Sequence, residues 1–228
     1  GILSSYTGWA TVARECVDEA SGIPVYSIGA NNIHPDVSAN MDYAAIIGGC
    51  VSCSTILGAR LSGVTPFTTM SHSLSLILGD TVRALKAFDK HTPQDVPRVA
   101  LVDTHRDEAE EAIASARALK DRLRGIRVDT ATQRGGVTVG LVREIRARLD
   151  LAGFQHVDIS ISGDINPPKI REFVEAKSPI QSFGIGSYIA TGSPNPYTAD
   201  IHEIDGRPIA RRGRSPGVTQ NTRLDRII

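Results

Sequence analysis

The sequence predicts an α/β fold built on a parallel sheet, with a barrel and a doubly wound sheet both open from pattern alone. Three observations carry that expectation. Short β-branched runs alternate with helical patterns along most of the chain. Several runs are almost continuously apolar, as strands covered on both faces must be. Each gap between runs leaves room for one crossover helix, which parallel neighbours require.

In chain order the runs are Ile23 to Ile28, Thr65 to Thr68, Val99 to Asp103, Gly125 to Asp129, Val157 to Ser162 and Ser182 to Gly186. Helical periodicity is clearest at Asp107 to Leu123 and Val137 to Asp150, where apolar residues recur at three- and four-residue steps. The small-residue stretch Gly48 to Ser54 also reads as helical, which puts the Cys50 and Cys53 pair in a packing role ahead of a redox one. Lys169 and Lys177 fall in a further expected helix, so no lysine closes a strand as a Schiff-base enzyme would need. Near the end, Ile201 to Ile204, the pair Asp205-Gly206, and Arg207 to Ala210 read as a β-hairpin with a tight turn. Arg211 to Gly217 then forms a basic, turn-rich tail of a solvated or subunit-contacting kind. The expected division is a catalytic α/β domain over 1–198 and a hairpin with tail over 199–228. A chain that starts on Gly1 and enters a helix-like segment at once is expected to be a fragment or a processed piece.

Composition narrows the function classes without choosing one. With 228 residues, 41% of them hydrophobic, and a formal net charge of +0, the chain can bury one sizeable core and carries no global footprint for nucleic acid or an anionic membrane. No apolar run approaches the roughly 18 residues of a spanning helix, and no basic region leads into an apolar core at the N-terminus, so a cytoplasmic location is expected. Cys16, Cys50 and Cys53 are too few for a disulfide framework or a four-cysteine zinc site.

Chemistry is sought where polar residues close the strands, because parallel α/β folds gather ligands at the C-terminal strand ends. The third run ends on Asp103 and the fourth on Asp129; the fifth opens into Ser162-Gly163-Asp164 and the sixth into Gly184-Ile185-Gly186-Ser187. Two carboxylates on one rim suit Mg²⁺ or ribose hydroxyls, both of which want oxygen acceptors. Either aspartate alone is as readily an N-cap or turn residue. Gly184, Gly186 and Ser187 suit a phosphate cradled by backbone N–H groups, with close packing as the even alternative. His72 follows Thr69-Met70-Ser71 on a hydroxyl-rich turn, a setting for a nucleophile or proton donor, although a lone histidine is more often structural. His34, before Pro35, reads as a turn residue, and His91, His105, His156 and His202 join no constellation.

Several of these segments, in this order and spacing, resemble nicotinate phosphoribosyltransferase: Gly48-Gly49-Cys50, Thr69-Met70-Ser71-His72 with Gly79-Asp80, Leu101-Val102-Asp103-Thr104, Val128-Asp129-Thr130, Phe183 to Ser187, and Glu203 to Gly213. The resemblance implies an irregular, TIM-like α/β barrel of the type II phosphoribosyltransferase class. It also implies a homodimer with an N-terminal domain that this chain lacks. The implied reaction joins nicotinate to phosphoribosyl pyrophosphate, with Mg²⁺ as cofactor and ATP as co-substrate, hydrolysed through a phosphohistidine. His72 matches that histidine. Asp103 and Asp129 would then hold ribose hydroxyls or the metal. Arg127, two positions before Asp129 and on the same strand face, would meet the pyridine ring or its carboxylate, with Thr69 and Asn31 also on the substrate. Ser162, Gly163, Asp164, Gly184, Gly186 and Ser187 would bind the 5′-phosphate. Two departures stand out: Asn31-Asn32 where the family pattern carries Arg-His, and Val51 where it carries an Asp near the base. They keep a non-catalytic phosphoribosyl-binding homologue in competition. Quinolinate phosphoribosyltransferase shares the implied fold, but it needs no ATP, and the match at His72 argues against it.

Overall fold

The computed structural model describes residues 1–67 and 69–223. By internal contacts it falls into two compact units, Gly1–Asn195 and Pro196–Ile228, against the expected division at 198/199. The first unit opens with α1 (Ile2–Glu19), β1 (Val25–Ser27), α2 (Pro35–Ile47), β2 (Ser52–Cys53), α3 (Ile56–Ser62), α4 (His72–Leu78) and α5 (Thr81–His91). It continues with β3 (Arg98–Leu101), α6 (Glu108–Leu119), β4 (Leu123–Val128), α7 (Val139–Leu151), β5 (Asp158–Ile161), α8 (Pro167–Glu175), β6 (Ser182–Ile185) and the short α9 (Ser187–Ala190). The six strands are all parallel, in the order β2-β1-β6-β5-β4-β3. The sheet curls into a half-barrel with helices outside it, the TIM-like arrangement that the family resemblance implied and that the alternation of runs left open beside a doubly wound sheet.

The strands are short and buried because their side chains face the core on both sides. All four residues of β3 and all four of β6 are buried, and Phe183 meets Phe173 of α8 edge to face at 6.4 Å between ring centroids. Side-chain caps define most helix starts. Asp107 accepts from the N–H groups of Ala109 and Glu110 at the start of α6, and Thr138 accepts from Leu141 at the start of α7. Those caps remove the N-cap reading of Asp103 and Asp129 and leave the turn reading standing. Neither aspartate caps the helix that follows it.

Two expectations are corrected. The Gly48–Ser54 stretch is not helical: α2 ends at Ile47, Gly49 takes φ +111°, and the chain turns directly into β2. Glycine permits that left-handed turn at no steric cost. The brevity of β2, two residues, hid it from periodicity. The three cysteines are free and buried, and burial pushes the Cys16 and Cys53 thiols up to about 12, so they are inert packing groups. Secondly, residues 65–67 of the expected Thr65–Thr68 run form no ladder strand, and the last residue of that run lies outside the described residues. Instead, the Phe67 N–H donates to the Cys53 carbonyl and the Met70 N–H to the Val99 carbonyl, so this segment bonds to both edges of the sheet.

A buried carboxylate ties the β1–β2 edge together. Asp42 of α2 is fully buried and accepts from Ser27 Oγ at 2.6 Å and the Thr55 N–H at 2.9 Å. Replacing it with Ala strands both donors, and Asp42→Ala is expected to cost about 3–5 kcal/mol. Urea unfolding should show a lower midpoint at unchanged slope.

In the second unit, β7 (Glu203–Ile204) and β8 (Arg207–Pro208) form the expected antiparallel hairpin. Asp200 pairs with Arg211 at 2.7 Å and Arg214 at 3.0 Å, which occupies part of the basic tail. Among the described residues, no helix is long and apolar enough to cross a membrane.

Candidate active site

The curl of the sheet brings the C-terminal ends of its strands around one cavity of about 600 Å³. Arg127 and Asp129 alternate along β4 and its end, so both project to the same face while Val128 between them is buried in the core. Gly163 follows β5 with φ +85° and Asp164 with φ +51°, a turn that returns the chain past Asp129. A Cβ on Gly163 would lie 3.1 Å from Asp129 Oδ1, so only glycine lets this loop pass so close.

His72 is the first residue of α4, whose N-cap is Ser71. Its Nδ1 lies 3.0 Å from Thr104 Oγ1. Its Nε2 faces two carboxylates, Asp129 at 3.4 Å and Asp103 at 3.6 Å. Asp129 also accepts from Ser162 Oγ at 2.9 Å and lies 3.9 Å from Arg127 Nη2. Two buried atoms here have no hydrogen-bond partner, Asp103 Oδ1 and Arg127 Nε. Unpaired buried polar atoms are costly, and Arg127, on the cavity wall, is placed to take a ligand as its partner.

The groups shift one another's protonation. Burial pushes the Asp103 carboxyl up to about 6, only partly offset by the charge of His72. Burial also pushes Asp129 up, but the hydrogen bond to His72 and the charge of Arg127 outweigh it and hold that carboxyl below its ordinary value. The partnership with Asp129, more than the charge of Asp103, raises the His72 pKa above the usual imidazole value against the effect of burial. A raised pKa means that the ring stays charged to higher pH. Asp129→Asn removes the largest cause, so the His72 midpoint should move down; an NMR titration of the metal-free protein checks this, and an unmoved midpoint contradicts the pairing.

His72, Arg127, Asp129, Thr69, Asn31, Gly163, Asp164, Gly186 and Ser187 all line the cavity. Asp103 stands behind His72 with its side chain 6% exposed. Three sequence expectations are corrected by position. Ser162 is fully buried and serves as the donor to Asp129, not as part of the cavity wall. Gly184 lies within β6, paired with Tyr26, where an added Cβ would meet Ile28 Cδ1 at 3.0 Å; its role is close packing. Val51 sits at the N-terminal start of β2, away from the rim, so its departure from the family pattern does not touch the cavity.

Residues 9–194 match the model of the C-terminal domain of quinolinate phosphoribosyl transferase. The chain belongs to that family. It is 30% identical over 190 residues to nicotinate phosphoribosyltransferase pncB2 of Mycobacterium tuberculosis, which covers 82% of this chain and 40% of that protein. Nicotinate-nucleotide pyrophosphorylase from Pyrococcus furiosus has a similar structure, with a TM-score of 0.83 at 40% identity over 94% of this chain and 55% of that one. Human nicotinic acid phosphoribosyltransferase shares the fold, with a TM-score of 0.62 at 20% identity over 78% of this chain and 46% of that one. This chain therefore spans 40% to 55% of the length of these relatives.

For a phosphoribosyl transferase domain, the donor set fits Mg²⁺. Asp103 and Asp129 offer hard oxygens, one of them an unpartnered buried atom. Among the described residues no group of three or more metal-ligating side chains exists, so phosphate oxygens and water would complete the shell, as is usual for this ion.

Sequence reasoning missed Thr104, Glu111, Ser54 and Phe67. Phe67 lines the cavity and stacks on Tyr26 at 4.1 Å between ring centroids. One legible signal existed: Glu108 and Glu111 fall on the same helix face as Ala112, Ser115 and Leu119, and charged residues on an apolar face demand partners.

Proposed function

We propose that this domain carries the active site of a nicotinate phosphoribosyltransferase in which ATP hydrolysis is coupled through a phosphohistidine at His72. One observation carries the reading: His72 Nε2 faces two rim carboxylates while Nδ1 is engaged by Thr104, on the wall of a cavity that also holds Arg127. Thr104 occupies Nδ1, so Nε2 is the nitrogen free to react. Its proton passes to a carboxylate, and Asp103, raised to about 6, is the better matched acceptor. The Nε2–phosphorus bond forms as the bond from the γ-phosphorus to the bridging oxygen breaks and ADP departs.

In the transfer step the pyridine nitrogen of nicotinate attacks the anomeric carbon, and the carbon–oxygen bond to pyrophosphate breaks with its electron pair leaving on pyrophosphate. Positive charge develops on the ribose. The Asp129 carboxylate lies on the cavity wall, where it stabilises that charge or accepts from ribose hydroxyls. Backbone around Gly163, Asp164, Gly186 and Ser187 lines the part of the cavity assigned to the 5′-phosphate. Mg²⁺, held by Asp103 and Asp129, would neutralise phosphate charge. A homodimer completed by an N-terminal domain belongs to the same reading.

Arg127 supports nicotinate over quinolinate. It is the one guanidinium among the described residues of the wall, which matches a single carboxylate on the ring. The test is product analysis with phosphoribosyl pyrophosphate and Mg²⁺, with and without ATP. ATP-stimulated formation of nicotinate mononucleotide and pyrophosphate is expected. Turnover of quinolinate without ATP, or tight ligand binding with no pyrophosphate release, overturns the reading.

A further inference from the structure

Glu111 lies on α6, outside the cavity wall, with a side chain buried to 3% exposure. It forms no ion pair among the described residues. Its carboxylate instead gathers four donors from two places in the chain. Oε1 accepts from Thr81 Oγ1 at 2.7 Å, from the His105 N–H at 3.1 Å and from the Arg106 N–H at 3.2 Å. Oε2 accepts from the Thr104 N–H at 3.2 Å.

These donors are the ones that frame His72. Thr104 places its Oγ1 3.0 Å from His72 Nδ1. His105 Nε2 lies 3.1 Å from the Ser75 carbonyl, one turn further along the helix that His72 begins. Thr81 is the first residue of α5, immediately beyond the corner that closes α4. A single buried carboxylate therefore fixes the loop after β3 and the start of α5, and the loop grips α4 at two points.

We propose that Glu111 is a positioning residue for His72: it holds the Thr104 hydroxyl on Nδ1, and so keeps Nε2 as the nitrogen presented to the phosphoryl donor. The inference rests on the phosphohistidine reading for its chemistry, but its geometry stands without it. The Thr104 hydroxyl can donate to Nδ1 or accept from it, so what it fixes is the orientation of the ring, with Nε2 turned to the cavity and the two carboxylates. With Thr104 displaced, no other hydrogen-bond partner among the described residues holds Nδ1. A backbone amide cannot change its protonation, so Glu111 acts by placing Thr104, and any neutral or misplaced acceptor would do so less well.

Glu111→Gln is the discriminating variant. Its amide oxygen can retain the three donors on the Oε1 side, while its NH₂ confronts the Thr104 N–H and pushes that residue away. The readout is the His72 Nδ1 ¹⁵N shift, which reports its hydrogen bond to Thr104, from long-range ¹H–¹⁵N correlation in protein with ¹⁵N-labelled histidine. The wild-type Nδ1 should show the shift of a hydrogen-bonded nitrogen. Glu111→Gln and Thr104→Val should both move it, and Thr104→Ser should keep it. Phosphohistidine formed from γ-labelled ATP should fall about 10- to 100-fold in the first two variants, the scale of loss when a partner that orients a functional histidine is removed.

A folded Glu111→Gln protein with the wild-type His72 Nδ1 shift overturns the proposal. So does a Thr104→Val protein with that shift unchanged. If Glu111→Gln does not fold, Thr104→Val and Thr104→Ser still decide the matter, because neither removes a buried charge. A moved Nδ1 shift in a protein that never labels from ATP sustains the positioning role and instead defeats the phosphohistidine reading.

Discussion

His72→Ala is expected to abolish ATP stimulation and phosphoprotein formation, while uncoupled phosphoribosyl transfer persists at a reduced rate. The expectation follows from position. Among the described residues, His72 is the only imidazole on the cavity wall, and no cysteine or lysine lies there to take its place as a nucleophile. The transfer step needs no covalent attachment to His72, so its loss removes coupling and does not by itself remove the ribose site. The uncoupled rate should nevertheless fall. Without the imidazole, Asp103 and Asp129 lose the positive partner between them, and the His72 charge is the largest influence opposing the burial of Asp103. Asp103 is then protonated to higher pH. Labelling with γ-labelled ATP gives the decisive measurement, since a phosphoimidazole is acid-labile and base-stable. Label retained in His72→Ala, or unchanged stimulation by ATP, removes this residue from the mechanism.

Asp129→Asn carries the second large effect. This carboxylate meets His72 at 3.4 Å, accepts from Ser162 at 2.9 Å and stands 3.9 Å from Arg127, so the group proposed for the ribose also touches those proposed for coupling and for the ring. Asparagine preserves the shape and can still accept from Ser162, but it carries no charge to set against a positive ribose. A loss of roughly 10²- to 10³-fold in kcat/KM for phosphoribosyl pyrophosphate is expected, about 2.7–4 kcal/mol of transition-state stabilisation. Thermal stability should change far less, because the Asn side chain fills the same space. Steady-state kinetics at saturating nicotinate, with melting followed in parallel, separates the two. Near-wild-type kcat/KM in a folded variant contradicts the assigned role.

The contrast between Ser162 and Gly163 shows how far pattern reasoning reaches. Both close β5 and both were expected at the phosphate. Burial separates them: the Ser162 side chain is committed to Asp129, while Gly163 turns into the cavity. Strand-end position identifies a rim, but it does not say which of two successive residues points across it when the chain leaves the regular two-residue alternation. β2 escaped detection for a related reason, since two residues are too few to show a period.

By itself the sequence determined the α/β alternation, the polar rim with its aspartate pair, and the C-terminal hairpin, while His72 and Arg127 were singled out by the family resemblance. The former depend on local periodicity, turn chemistry and residues that close strands, all written in consecutive positions. Only the tertiary structure decided that His72 Nε2 meets Asp103 and Asp129 together, that Thr104 holds the other nitrogen, and that Glu111 holds Thr104. The contacts of His72 join residues distant in sequence, and their geometry follows from the curl and register of the sheet, which no local pattern specifies.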